Sequence, residues 1–185
     1  FGMNAAFISK VPTHEIGQNA VNALRHFGVD TEGVVRGGSR LGIYFVEKGA
    51  SQRASKVIYD RAGSAIACAS ASDFDWDAIF EGADWFHWTG ITPALGGNLP
   101  QICLEACKAA KAKGVKIISV TENMESPLAL NAAVVIKQHV NRETDKWNAQ
   151  GTTSTTALCM LFHALQAAVI EQTGYRAEQF ALIHP

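Results

Sequence analysis

"KGVKIISVTENMESPLA", Lys113 to Ala129, is the stretch on which the fold turns. Gly114 can close a helix, and Val115 to Val120 is a short apolar run of strand length. The chain then becomes polar at Thr121-Glu122-Asn123. Ligands of an open parallel sheet sit just beyond the carboxyl ends of its strands, so this step in polarity marks a candidate ligand edge.

Working outward, Leu99 to Lys113 carries Ile102, Cys103, Ala106, Ala109 and Ala110 at helical spacing, which predicts a helix entering the strand. "ADWFHWTG", Ala83 to Gly90, reads as a buried aromatic strand, and Asp75 to Glu81 as a short helix. Ala5 to Lys10 reads as a strand. Ile16, Ala20, Val21, Leu24 and Phe27 mark one face of a helix that stops at Gly28. Downstream come a short helix near Pro127, a strand at "AAVVIK", and an apolar helix from Ser154 to Thr173 ended by Gly174. That last helix is apolar almost all round, which predicts burial. Alternating strands and helices predict an α/β fold: a layered, mainly parallel sheet flanked by helices. The exception is Leu41–Glu47 and Lys56–Arg61, two strands joined by the polar loop "KGASQRAS", which predict an antiparallel hairpin.

The 185 residues are 48% hydrophobic with a formal net charge of -1, enough for a core and without a basic block. No nucleic-acid surface or charge-held membrane surface is expected. No unbroken apolar run approaches the roughly 20 residues of a membrane span. "FGMNAAFISKVPTHE" lacks the form of a signal peptide and starts abruptly, as though residues precede it. Cys68, Cys103, Cys107 and Cys159 form no C-x-x-C pair and no zinc set, so no metal site is expected. Buried, reduced thiols and a cytoplasmic location are the expectation.

Tyr59 and Arg61 are two apart on a predicted strand and therefore share a face, with Asp60 on the other. Arg grips a carboxylate bidentately, and Tyr bonds hydroxyls while covering a carbon face. With Tyr44 across from them, the set suits a hydroxylated acid. The same pattern also suits an ordinary solvated hairpin with Arg61 paired to a nearby acid.

"GVDTEGVVRGGSRLGIYFVEKGASQRASKVIYDRAGSAI" and "DFDWDAIFEGADWFHWTGITPAL" resemble the N-terminal half of the 2-keto-3-deoxygluconate kinases of the PfkB/ribokinase family. The resemblance spans Phe1 to about Ser119. It implies that the hairpin, within about residues 34–64, is a β-lid, and that Tyr44, Tyr59 and Arg61 contact the sugar. It also implies that "WTGITPAL" lies near the sugar. The family's opening strand and its Gly-Gly-x-x-x-Asn stretch would lie before Phe1. Asp-x-Asn-x-Arg is replaced by Val120-Thr121-Glu122-Asn123, and the late Gly-Ala-Gly-Asp, which supplies anion hole and base, does not occur in the 185 residues. Poor phosphoryl transfer follows, with ATP and Mg expected only for a complete kinase.

The hydroxyl run Thr152, Thr153, Ser154, Thr155 and Thr156 opens the long helix. Plain capping needs one of them; a helix N-terminus with spare hydroxyls also suits a phosphate. "GVKIISVTENMESPLALNAAVVI", "GTTSTTA" and "GYRAEQFALIHP" resemble the C-terminal part of a SIS (sugar isomerase) domain of the arabinose-5-phosphate isomerase group. That resemblance implies phosphate binding at Thr152, Thr153, Ser154 and Thr155. It further implies proton transfer by Glu143, nine residues before Thr152, and by His184 in "IHP". As isolated residues, Glu143 and His184 equally suit a solvated loop and an exposed tail. The SIS Ser-x-Ser-Gly-x-Thr loop is absent.

The expectation is one continuous α/β core, sugar-kinase-like over 1–119 and SIS-like over 120–185, that binds a sugar acid or a sugar phosphate. Two alternatives stand beside it: a phosphosugar isomerase or phosphosugar-binding protein, and a non-catalytic scaffold. The open edges of the lid strands also suit a homodimer.

Overall fold

The computed structural model describes residues 4–183. The chain divides into two compact units, Phe1–Ile117 and Ile118–Pro185.

In the first unit, β1 (Ser9–Val11), α1 (Glu15–His26) and β2 (Val34–Arg36) form a parallel strand–helix–strand crossover. Glu15 in the first turn of α1 and Arg25 and His26 in its last complement the helix dipole. Val11, Val21 and Val34 form the crossover's buried cluster, with Leu41 against it. The predicted strand from Ala5 shrinks to β1, preceded by a lone bridge between Ala6 and Asp30. The predicted apolar face of α1 is also rolled. Val21 is buried, but Ile16 is 60% and Phe27 81% exposed. The cause is close approach at Gly17, where a Cβ would stand 2.0 Å from the Pro12 carbonyl oxygen. That contact turns the Gly17–Val21 side inward.

The hairpin follows as β3 (Ile43–Glu47) and β4 (Lys56–Asp60), paired antiparallel. Beyond it lie a 3-10 turn (Ala71–Asp73), α2 (Trp76–Ile79), α3 (Ile91–Ala94) and α4 (Leu99–Ala112). Lys10 Nζ reaches Asp73 Oδ2 at 2.6 Å, tying β1 to the 3-10 turn. Pro100 sits in the first turn of α4, where its missing N–H costs nothing. Leu99, Ile102, Cys103, Ala106, Cys107 and Ala110 bury one stripe of that helix. Its N-terminal end packs with Ala69 and Phe74, and its C-terminal end with Phe80 and Val115. Trp76 stacks between Phe74 and Phe80, with ring centroids 5.0 and 5.8 Å away.

Ala83–Gly90 is not the predicted buried strand: it pairs with no strand among the described residues, and Trp85 is 73% exposed. Its aromatics are used individually instead. Phe86 meets Phe80 edge-on at 4.9 Å, and the Trp88 indole N–H donates to Cys107 Sγ at 3.2 Å. Cys103 and Cys107 are buried as expected, whereas Cys68 and Cys159 are exposed. Burial pushes the Cys103 thiol up to about 11, with Cys107 adding to the shift, so this thiol stays protonated and inert.

The second unit contains β5 (Ile118–Thr121), α5 (Pro127–Asn131), β6 (Val134–Lys137), α6 (Thr153–Thr173) and α7 (Ala177–Ile183). The Ser126 hydroxyl accepts from the Ala129 N–H and caps α5. β5 and β6 pair in parallel, from Ile118 opposite Val134 to Thr121 opposite Lys137. The α/β class is as expected. The strands, however, form three two-stranded sheets rather than one layered sheet.

Burial of α6 is corrected outright. The helix forms where predicted and ends at Gly174, yet no residue of it is buried. Met160 is 67%, Phe162 50% and Leu165 48% exposed. Apolarity all round a helix calls for cover on every side, and the second unit by itself offers little of it. The 21-residue α6 is also long and apolar enough to cross a membrane, by length and composition only, although no single unbroken run in the sequence announces it.

Candidate functional site

The hairpin places three of the expected site residues together. Tyr44 is directly opposite Tyr59 in the register, and their ring centroids are 6.2 Å apart. Arg61 follows β4 and lays its guanidinium carbon 4.3 Å from the centre of the Tyr59 ring. A cation over an aromatic face is attracted by the ring's quadrupole. Asp60, one residue away in the strand alternation, pairs with Arg40 at 2.5 Å. Both tyrosines are open to solvent, and Arg61 is half-buried. The face therefore offers a pre-seated guanidinium whose N–H groups have no hydrogen-bond partner among the described residues, flanked by two phenols. That chemistry fits a planar carboxylate carried on a hydroxylated carbon chain.

The second unit gathers another cluster. Parallel pairing brings the ends of β5 and β6 to one edge, so Glu122 and His139 meet there, with Oε1 2.6 Å from Nδ1. Asn141 Oδ1 lies 3.2 Å from the other ring nitrogen of His139. The Gln138 N–H donates to the Thr121 carbonyl, and its side-chain amide donates to the Ser154 carbonyl at 2.6 Å. The strand edge is thereby joined to the start of α6.

Glu143 fills the N-terminus of α6 itself. Its Oε2 accepts from the Thr152 N–H at 2.8 Å, the Thr152 hydroxyl at 2.9 Å and the Ser154 N–H at 3.2 Å. Thr144 adds two donors to the Thr152 hydroxyl oxygen, at 2.9 and 2.8 Å. Thr155 and Thr156 turn their hydroxyls back onto the Gly151 and Thr152 carbonyls. The helix end that was expected to seat a phosphate thus holds the chain's own carboxylate. The reason is elementary: unsatisfied N–H groups and the positive end of the helix dipole favour whichever anion is tethered nearest. His184 lies outside the described residues.

Hydrogen bonding from the Ser154 side chain, reinforced by the Thr152 and Ser154 N–H groups and the Thr152 hydroxyl, holds Glu143 down at about 2 from its ordinary 4.5. A lowered pKa in the folded chain means stability that is present above pH 4.5 and lost as pH falls through about 2. Glu143→Gln is therefore expected to fray the start of α6 at neutral pH and to differ little from the parent near pH 2. Amide chemical shifts of Thr152 and Ser154 across an acid titration check this. Equal parent–variant differences at both ends of the titration would show that the carboxylate charge is immaterial.

Arg40, Gln138, His139 and Thr144 take part in these clusters without any signal in the hydrophobic pattern. Only Arg40 has a sequence cue, since it stands between Gly38 and Gly42 directly before β3.

The model described as pfkB family carbohydrate kinase matches residues 1–172. The chain is 35% identical over 113 residues to a 2-dehydro-3-deoxygalactonokinase of Haloferax volcanii, covering 61% of this chain and 35% of that one. It is 43% identical over 75 residues to the arabinose 5-phosphate isomerase KdsD of Pseudomonas aeruginosa, covering 40% of this chain and 23% of that one. Among solved structures, the 2-dehydro-3-deoxygluconokinase of Thermotoga maritima aligns with a TM-score of 0.62 and 53% identity, over 64% of this chain and 36% of that one. The chain thus spans about a third of the length of these kinases and under a quarter of that isomerase.

Proposed function

The chain belongs to the pfkB family of carbohydrate kinases, and on that premise we propose that its β3–β4 hairpin is a lid that binds a sugar acid of the 2-keto-3-deoxygluconate type. The observation that carries this reading is the seating of Arg61 on Tyr59 with Tyr44 opposite. The guanidinium takes the carboxylate in two parallel hydrogen bonds, and the phenols take the sugar hydroxyls. The similarity to deoxygluconokinases and deoxygalactonokinases supports the choice of acid. Residues 1–119 are read as the sugar-kinase part and 120–185 as the SIS-like part. The exposed apolar residues of the hairpin, including Phe45 and Ile58, and its open strand edges support pairing with a second copy.

Titration calorimetry with 2-keto-3-deoxygluconate and, in parallel, with glucose tests the reading. The acid is expected to bind and to raise the melting temperature by mass action, and the neutral sugar is not. Arg61→Ala is expected to weaken the acid about tenfold to a hundredfold, the worth of a charge-assisted hydrogen-bond pair. Equal binding of acid and neutral sugar would remove Arg61 from the site.

A second reading applies to residues 120–185 and is favoured by the similarity to an arabinose 5-phosphate isomerase. In it, a sugar phosphate replaces the Glu143 carboxylate at the start of α6, freeing Glu143 as a base. Amide shifts at Thr152 and Ser154 on titration with a pentose phosphate are the expected sign. Shifts elsewhere with none at these two residues would rule out that seat.

A further inference from the structure

We propose that Arg40 is a positioning residue for the lid: it clamps the backbone on both sides of Arg61 and so holds the Arg61 guanidinium on Tyr59. The inference rests on the sugar-acid reading of the hairpin. Arg40 stands on the strand-entering side of the stem, two residues before Gly42 and three before β3. Its guanidinium reaches across to the strand-leaving side. Nη2 donates to the Asp60 carbonyl at 3.2 Å and to Asp60 Oδ2 at 2.5 Å, while Nη1 donates to the Ala62 carbonyl at 2.5 Å. The two carbonyls so held belong to the residues immediately before and after Arg61. The Arg61 carbonyl is itself occupied, accepting from the Ser64 N–H at 3.2 Å. Three consecutive carbonyls are therefore fixed, which leaves the Arg61 backbone little freedom.

The stem is seated on the interior of its unit. The Ala65 N–H donates to the Arg40 carbonyl at 2.8 Å, and Ser64 and Ala65 are each 1% exposed. Two glycines permit the approach. A Cβ on Gly42 would stand 3.1 Å from Ser64 Cβ, and one on Gly38, which has φ +79°, would stand 2.8 Å from Ala65 Cβ. Arg40 is thus anchored through its own backbone to the buried side and grips the exposed, strand-leaving side with its fork. Lys could satisfy Asp60 Oδ2 as a point charge but lacks the planar fork that spans two carbonyls. The pairing with Asp60 also keeps that carboxylate on the face opposite Tyr59, away from an incoming acid.

The test compares the full chain with its Arg40→Lys and Arg40→Ala variants by two measurements. The first needs no ligand: protons of the Arg61 side chain, lying over the Tyr59 ring, are expected upfield of their random-coil positions. In Arg40→Ala they return toward those positions while the methyl shifts of Leu99 stay in place, and Arg40→Lys falls between. The second is affinity for 2-keto-3-deoxygluconate, expected to fall about fivefold to tenfold in Arg40→Ala and less in Arg40→Lys, the scale of one or two hydrogen bonds. Unchanged Arg61 shifts in Arg40→Ala overturn the clamp. Changed shifts with undiminished affinity overturn its bearing on the sugar acid. If the parent chain binds no sugar acid, the functional reading falls with it, and the Arg61 shifts alone decide whether the clamp exists.

Discussion

Given ATP, Mg2+ and 2-keto-3-deoxygluconate, the 185-residue chain is expected to release ADP at least about a thousandfold more slowly than the roughly 10 per second of a median enzyme. Phosphoryl transfer has little covalent chemistry for a protein to perform. Its rate comes from placing the nucleophile in line and from spreading positive charge over the transferred group. In the proposed lid reading, the hairpin addresses only the acid end of the sugar. The Gly-Ala-Gly-Asp stretch that the kinase resemblance implies as the source of backbone N–H donors and a base does not occur in the 185 residues, and Val120-Thr121-Glu122-Asn123 stands in place of Asp-x-Asn-x-Arg. Losing a base and an anion hole together removes several kcal/mol of transition-state stabilisation, and each 1.4 kcal/mol is about tenfold in rate. A coupled assay of ADP release, with sugar-acid binding measured on the same sample, checks this. Turnover near 10 per second would mean that other residues of this chain perform both tasks.

Leu99→Ala is expected to destabilise the first unit by about 2 to 5 kcal/mol, enough to unfold a substantial share of it at moderate denaturant. Leu99 is 1% exposed and packs with Ala69, Phe74 and Ile102, with Ile8, Val35, Ile66, Trp76, Ile79 and Leu95 around them. These neighbours come from the residue before β1, from β2, from the segments flanking the 3-10 turn, from α2 and α4 and from the end of α3, and they cannot all close on a cavity at once. Truncation therefore loses both the transfer free energy of the removed methyls and their packing contacts. Ile16→Ala is the matched control, because Ile16 is 60% exposed and its removal is expected to cost under about 1 kcal/mol. Denaturation followed by tryptophan fluorescence, with Trp76 inside the affected cluster, reads both variants. Similar midpoints for Leu99→Ala and the parent would mean that α4 does not anchor this unit.

The parts of the fold legible in advance were those whose signal is local. The hairpin was readable because β-branched and aromatic residues at Ile43–Glu47 and Lys56–Asp60 flank a polar loop, and strand alternation alone separates Asp60 from Tyr59 and Arg61. The buried stripe of α4 follows from its 3.6-residue period, and the parallel pairing of β5 with β6 from the apolar runs around α5. What failed were inferences from apolarity to burial. Ala83–Gly90 and α6 are both rich in apolar side chains, and neither is buried as predicted. Apolar composition states what a segment would gain from cover. Whether cover is present depends on segments far away in the chain.

By itself, then, the sequence determined the element types, the strand–helix alternation, the shared face of Tyr59 and Arg61 and the hydroxyl-rich start of α6. These are set by backbone period and by side-chain chemistry within a few residues. Tertiary structure alone decided which donors meet which acceptors. It brought Arg40 across the hairpin stem to the carbonyls on either side of Arg61. It set the Glu143 carboxylate on the N–H groups of Thr152 and Ser154 at the start of α6. Such pairings are made across loops whose course no local preference specifies. A charged group takes the nearest partner that the folded backbone presents, because unsatisfied carbonyls at a turn and N–H groups at a helix start favour an ion tethered close by.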